Sequence, residues 1–257
     1  MIETWTLTIP NLTPDQERRA YVYVPDSFEE DPTLRFPVLY MFDGHNLFFD
    51  EDATYGKSWG MLEFLEESQL PLIVAAVECS HDPNNGRLSE YSPFTCHIPE
   101  LGGKLKGKGK ATMDWYVRVF KPYVDEHFPT IPDRKHTFIG GSSMGGLMSL
   151  YAITKYNRYF SRAACLSPSI WFATDQLNHL LHTTFLRKDT VIYMDYGAKE
   201  LHNHPNMVQQ FRHVTSILLD RHVNLTSRIV PRGDHSEGCW EKQIPIFMEI
   251  LFYDLRF

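Results

Sequence analysis

Apolar residues in this chain fall into short unbroken runs, separated by longer stretches in which they recur every third or fourth position. The runs at residues 37–42, 72–77, 137–139, 163–166 and 191–193 predict strands buried on both faces, as in a parallel sheet covered by helices. The intervening stretches 59–67, 115–127, 147–156 and 207–221 have helical spacing. At the start of the chain, residues 5–9 and 19–24 instead alternate polar and apolar, and Asn11-Leu12-Thr13-Pro14-Asp15 lies between them. That pattern predicts an antiparallel pair at a sheet edge. Late in the chain, 225–230 reads as a further strand and 240–251 as a helix. Strand and helix alternate with no repeat, low-complexity linker or boundary, so one α/β domain over residues 1–257 is expected, with a mostly parallel central sheet flanked by helices.

Composition narrows the class. A chain of 257 residues with 43% hydrophobic and 14% aromatic content can build a substantial core. No uncharged apolar stretch approaches the roughly 18 to 20 residues of a membrane span, and no basic-then-apolar leader follows Met1. The expectation is a cytoplasmic protein that binds no membrane. Cys79, Cys96, Cys165 and Cys239 are widely spaced, which suggests free thiols and neither a zinc site nor a redox pair. A net charge of −7 argues against nucleic acid as a partner. The basic cluster is GGKLKGKGKAT at 102–112, read as a mobile surface loop. Its Gly102…Gly107-Lys108 spacing approximates a phosphate-binding loop, but Gly109 replaces the magnesium-binding Ser/Thr and no strand precedes it.

Chemistry concentrates at 140–149, GGSSMGGLMS. Gly141-Ser142-Ser143-Met144-Gly145 satisfies G-x-S-x-G between a predicted strand and a predicted helix, the setting of a nucleophile elbow. Ser143 is the candidate nucleophile and Ser142 a packing residue. The Met144 amide, at the helix start, can face a developing oxyanion. A base and an acid should follow in the chain. Of the later histidines, His235 has the right setting, in Arg232-Gly233-Asp234-His235-Ser236 directly after the last strand. Glu200, in Gly197-Ala198-Lys199-Glu200, and Asp195, closing the strand before it, compete as the acid. A second oxyanion amide is expected from His45 or Asn46 in the loop Asp43-Gly44-His45-Asn46, where Gly44 permits close backbone approach. Trp171, Asn46, Glu90 and Trp115 are candidates for lining the substrate cleft. His202 and His204 form H-x-H with no third ligand in view, and neither metal nor cofactor is expected, since serine, acid and base supply both nucleophile and proton transfer.

With these residues in view the chain resembles the putative esterase family, the esterase D or carbohydrate esterase family 1 type of α/β-hydrolase. The resemblance runs through FPVLYMFDGHNLF, RLSEYSPF, FKPYVDEHFPTIPDRKHTFIGGSSMGGLMSLYA, LSPSIWF and GDHSEGCW. Such proteins include feruloyl and acetylxylan esterases, S-formylglutathione hydrolase, siderophore trilactone esterases and mycolyltransferases. The resemblance implies an α/β-hydrolase fold and serine ester chemistry, with Ser143 as nucleophile, His235 as base and Glu200 in the acid slot. It implies a small-molecule or oligosaccharide ester as partner, foremost acylated carbohydrate or hydroxycinnamoyl esters, and alternatively a siderophore lactone or a thioester. A homo-oligomer is compatible with it. Two departures from the family pattern stand out: Phe42-Asp43-Gly44 replaces the frequent L-H-G, and the acid slot, more often aspartate, holds Glu200.

Overall fold

The computed structural model describes residues 1–98 and 103–255. An eight-stranded sheet forms its centre. Its strands are β1 (Ile2–Ile9), β2 (Thr13–Tyr23), β3 (Val38–Met41), β4 (Ile73–Val77), β7 (Thr137–Ser142), β8 (Arg162–Leu166), β9 (Val191–Gly197) and β10 (Asn224–Val230), in the order β1-β2-β4-β3-β7-β8-β9-β10. A separate ribbon pairs β5 (Cys96–Ile98) with β6 (Gly103–Leu105). β1, β2 and β4 pair antiparallel, and every pair from β4 to β10 is parallel. This is the mostly parallel α/β-hydrolase sheet with an antiparallel N-terminal edge.

The unbroken apolar runs follow from burial on both faces. In β3, Val38 and Tyr40 point into one core and Leu39 and Met41 into the other. The first core packs against the helices Met144–Lys155 and Pro205–Asp220, the second against Met61–Ser68 and Ile244–Phe252. Each fully buried Val, Leu or Ile contributes roughly 1.5–3 kcal/mol, so a polar residue at any of these positions would act against the sheet. No helix among the described residues is long and apolar enough to cross a membrane.

Three boundaries differ from the sequence reading. β7 continues through Gly140 and Gly141 to Ser142, paired with the strands on both sides, and Gly140 is glycine there because Met41 and Ala164 crowd the position where it would carry a Cβ. The helical stretch 115–127 begins earlier, as Gly109–Trp115, and passes through a wider turn, Tyr116–Phe120, before Lys121–His127. Pro122 has no N–H to donate to the preceding turn, which accounts for the widening. The basic stretch is not the mobile loop that its composition suggests. Gly102 lies outside the described residues, but 103–105 form a strand and a helix starts at Gly109. Gly107 and Gly109 pack against the backbone of 92–94 so closely that a Cβ would come within 2.2 and 2.8 Å of it. These glycines therefore serve contact rather than mobility.

Candidate functional site

The site lies at the carboxyl ends of the parallel strands, where open α/β sheets place ligands. Three non-glycine residues with positive φ mark the ends of three adjacent strands: Asp43 (φ 57°) after β3, Ser143 (φ 57°) after β7 and Ser167 (φ 40°) after β8. Such clustering of strained backbone is characteristic of functional sites.

At Ser143 the backbone (φ 57°, ψ −121°) is held from both sides. Its N–H donates to the Leu166 carbonyl at 3.0 Å, and its own carbonyl accepts from Ser169 N–H at 3.0 Å. Gly141 and Gly145 are the small neighbours this turn requires: a Cβ on Gly141 would meet the Gly145 carbonyl carbon at 2.9 Å, and one on Gly145 would meet Phe42 at 3.0 Å. Met144 opens the following helix, so its N–H has no intrahelical acceptor. Ser142 is buried, as a packing residue should be.

Glu200 and His235 meet across 35 residues of sequence. Glu200 is the third residue of the short helix Ala198–Asn203, and its Oε1 reaches back to the N–H of Gly197, as in the second half of a capping box. Oε1 also accepts from the Ser167 hydroxyl at 2.6 Å, and Oε2 lies 2.7 Å from His235 Nδ1. Desolvation works to raise the Glu200 pKa, but the hydrogen bonds from His235, Ser167 and Gly197 prevail and hold it below the usual glutamate value. A carboxylate only accepts, so the His235 ring proton sits on Nδ1 and Nε2 remains an acceptor. Asp195 points elsewhere. It is fully buried, accepts from the Tyr193 hydroxyl (2.6 Å) and the Ser167 amide (3.2 Å), and burial raises its pKa to about 6.

The early loop is clamped from below. Both Asp43 oxygens accept from Arg87, through Nε and an Nη, at 2.7 Å each, and the Asp43 N–H donates to the Tyr91 hydroxyl at 3.1 Å. Desolvation would raise the Asp43 pKa, yet Arg87 outweighs it and keeps the carboxylate ionised. Gly44 passes within 3.0 Å, measured from its would-be Cβ, of the Val77 backbone on β4. His45 follows in a single turn whose first closing bonds are donated by Asn46 and Leu47, leaving the His45 amide ahead of them. The His45 ring is buried beside Thr54, and desolvation lowers its pKa, which favours the neutral imidazole. Asp43, His45 and Cys79 bring three ligand-type atoms within 4.8 Å of one another, but Arg87 already neutralises the carboxylate and would repel a metal cation.

Two cavities meet at Ser143 and His235. One, of about 420 Å³, is lined also by Ser167, Ser169, Trp171, Lys199 and His204, and the other, of about 480 Å³, by Asn46, Tyr55, Arg87 and Trp240. Trp171 is 51% exposed, an unusual state for a tryptophan and one that leaves a flat apolar face beside Ser143. A larger cavity between β10 and the helix Ile244–Phe252 contains none of these groups. Two expected cleft residues are elsewhere. Glu90 is 4% exposed and turned inward to Arg18 (2.6 Å) and the Ser80 amide (3.0 Å). Trp115 is buried, with its ring stacked on Phe120 at 5.3 Å, because the helix that carries it faces the core. Arg87, Tyr55, Ser167 and Trp240 were not selected from the sequence. Arg87 lies three residues before Glu90 in the same segment, and only its contact with Asp43 distinguishes it.

Residues 12–248 match the family described as Putative esterase. Uncharacterized protein YbbA of Bacillus subtilis (strain 168) is 27% identical over 186 residues, 71% of this chain and 69% of that protein. Among solved structures, a ferulic acid esterase superposes with a TM-score of 0.65 at 15% identity, covering 98% of this chain and 97% of the other. The enterobactin esterase FES from Shigella flexneri, crystallised in the presence of enterobactin, gives 0.75 at 18% identity, covering 100% of this chain and 60% of that one.

Proposed function

Since this chain belongs to the putative esterase family, we propose that it hydrolyses carboxylic esters through an acyl-enzyme, with Ser143, His235 and Glu200 as its triad and aromatic acyl esters as its substrates. The observation that carries the reading is the 2.7 Å contact between His235 Nδ1 and Glu200, made at the rim of the cleft that Ser143 lines. It leaves Nε2 free to take a proton.

In the first half-reaction His235 Nε2 accepts the Ser143 hydroxyl proton as Oγ bonds to the ester carbonyl carbon. The carbonyl π electrons move to oxygen, and the Met144 and His45 amides stabilise that charge. The tetrahedral species collapses by breaking the bond to the alcohol oxygen, which receives the proton from His235. Water then enters with His235 as base, and release of the acid regenerates the Ser143 hydroxyl. Glu200 remains ionised throughout and balances the imidazolium.

Substrate class rests on the half-exposed face of Trp171 next to Ser143, a stacking surface for an aromatic acyl group, with Lys199, His204 and Ser169 around it as partners for ring hydroxyls. Hydroxycinnamoyl esters and dihydroxybenzoyl lactones both fit that description. The names of the two structural neighbours, ferulic acid esterase and enterobactin esterase, are in keeping with it.

The test is an initial-rate panel with wild type and Ser143→Ala on methyl ferulate, a catechol siderophore trilactone, acetylated xylo-oligosaccharides, S-formylglutathione and short p-nitrophenyl esters. The expected result is preference for the aromatic acyl substrates and a loss of at least about 10³-fold in the variant. A folded Ser143→Ala protein that kept most of its hydrolysis would overturn the mechanism, and preference for the acetylated sugars would overturn the substrate class.

A further inference from the structure

We propose that Ser167 is a positioning residue whose hydroxyl fixes the longer side chain of Glu200 so that a glutamate can serve where aspartate is usual; this rests on the triad proposed above. Ser167 is buried directly after β8, next to the Ser143 turn, and lines the cavity that Ser143 and His235 share. Its Oγ donates to Glu200 Oε1 at 2.6 Å and accepts from Trp240 Nε1 at 3.3 Å. The Trp240 ring in turn meets the His235 ring edge-on, with centroids 5.0 Å apart and planes at 82°. One hydroxyl thus joins the carboxylate to the indole that backs the imidazole.

A glutamate has one more rotatable bond than an aspartate, and a carboxylate held only by His235 would retain that freedom. Here Oε1 is pinned by Ser167 and the Gly197 amide while Oε2 is left for His235, so the carboxylate plane is set before the imidazole is engaged. The serine is itself over-determined. Its amide donates to the Asp195 carbonyl at 3.0 Å and lies 3.2 Å from Asp195 Oδ1, which is anchored by the Tyr193 hydroxyl. The Tyr196 hydroxyl donates to the carbonyl of Pro168, the next residue. This bracing sustains φ 40° at Ser167, a conformation serine rarely adopts. The chain therefore holds a strained serine at this point by bonds to its amide and to the next carbonyl, while its hydroxyl faces the acid.

The experiment is a double-variant cycle with Ser167→Gly, which removes the hydroxyl but accepts the positive φ, and Ser167→Ala as a second hydroxyl-free variant. Each is measured alone and combined with Glu200→Ala, on the best ester of the panel and with folding checked by circular dichroism. Removing a charge-assisted hydrogen bond predicts a fall in kcat of about tenfold or more for each single variant, with KM little changed. In the Glu200→Ala background the same changes should have no further effect, because Ser167 acts only through the acid. The downfield proton signal of His235 Nδ1–H bonded to Glu200 should broaden or move in Ser167→Gly. Wild-type kcat and an unmoved signal in Ser167→Gly would overturn the proposal, as would an undiminished effect without Glu200. If Ser143→Ala had retained activity, the triad itself would have failed, and that outcome is separate from either of these.

Discussion

Replacing Arg87 by methionine tests whether the Asp43 clamp is electrostatic. The change removes two charge-assisted hydrogen bonds of 2.7 Å and leaves a 5% exposed carboxylate without its cation. Breaking a buried pair from one side costs about 3–5 kcal/mol. The Arg87 side chain is 31% exposed, so the lower end, about 3 kcal/mol at pH 7, is the appropriate figure. That is roughly a 150-fold change in the folding equilibrium and leaves a protein of ordinary stability folded. The pH dependence gives the reasoning its sharpest test. In wild type the Asp43 pKa is held below its unfolded value, so the pair contributes fully above the unfolded carboxylate pKa and is lost as pH falls through the folded one. In the variant, burial unopposed by Arg87 pushes Asp43 upward, and the cost appears as pH rises through the new pKa. Urea unfolding at pH 7 and at pH 4.5 should therefore show a larger deficit at pH 7. Equal deficits would mean that Arg87 contributes by packing alone, and no deficit at either pH would refute the clamp.

Asp195 offers an independent electrostatic test. Its folded pKa, raised to about 6 by burial, predicts that wild type loses about 2 kcal/mol relative to Asp195→Asn between pH 4 and pH 7, as the buried carboxylate is forced to ionise; parallel stability curves from urea titrations would contradict this. Trp171→Ala should lower kcat/KM for aromatic acyl esters about 2- to 10-fold, mainly through KM, while short-chain p-nitrophenyl esters change little. A uniform loss across both substrate types would argue that Trp171 supports the fold rather than the acyl group.

Most of the sheet is legible because burial on both faces writes itself as unbroken apolar runs, and the elbow is legible because its G-x-S-x-G pattern stands between a strand run and a helical one, although only Gly141 is crowded from within the turn and Gly145 meets the distant Phe42. What escaped was long-range or polar. The strand that Asp195 is expected to close runs two residues further, to Gly197, because Asp195 is itself buried, with the Tyr193 hydroxyl and the Ser167 amide as its partners. Between Glu200 and Asp195 the residues alone left the acid open; only the helix beginning at Ala198 turns Glu200 toward His235. In the segment at 86–91 the sequence points to Glu90 while it is Arg87 that reaches the cleft, because the partners that decide this, Asp43 for Arg87 and Arg18 for Glu90, lie 44 and 72 residues away. The Gly/Lys-rich stretch misled in the opposite direction: glycine needed for close backbone contact has the same composition as glycine needed for mobility.

The positive φ of Ser143 also bears on how this protein could be improved in the laboratory. Glycine is the residue that its backbone angles favour, and the side chain is only partly buried, so Ser143→Gly relieves strain on the order of 1 kcal/mol at little packing cost. A library selected for heat resistance alone would accordingly be drawn toward the one substitution that removes the nucleophile. Any such selection has to score turnover in the same round, because at this position robustness and activity pull on the same atom in opposite directions.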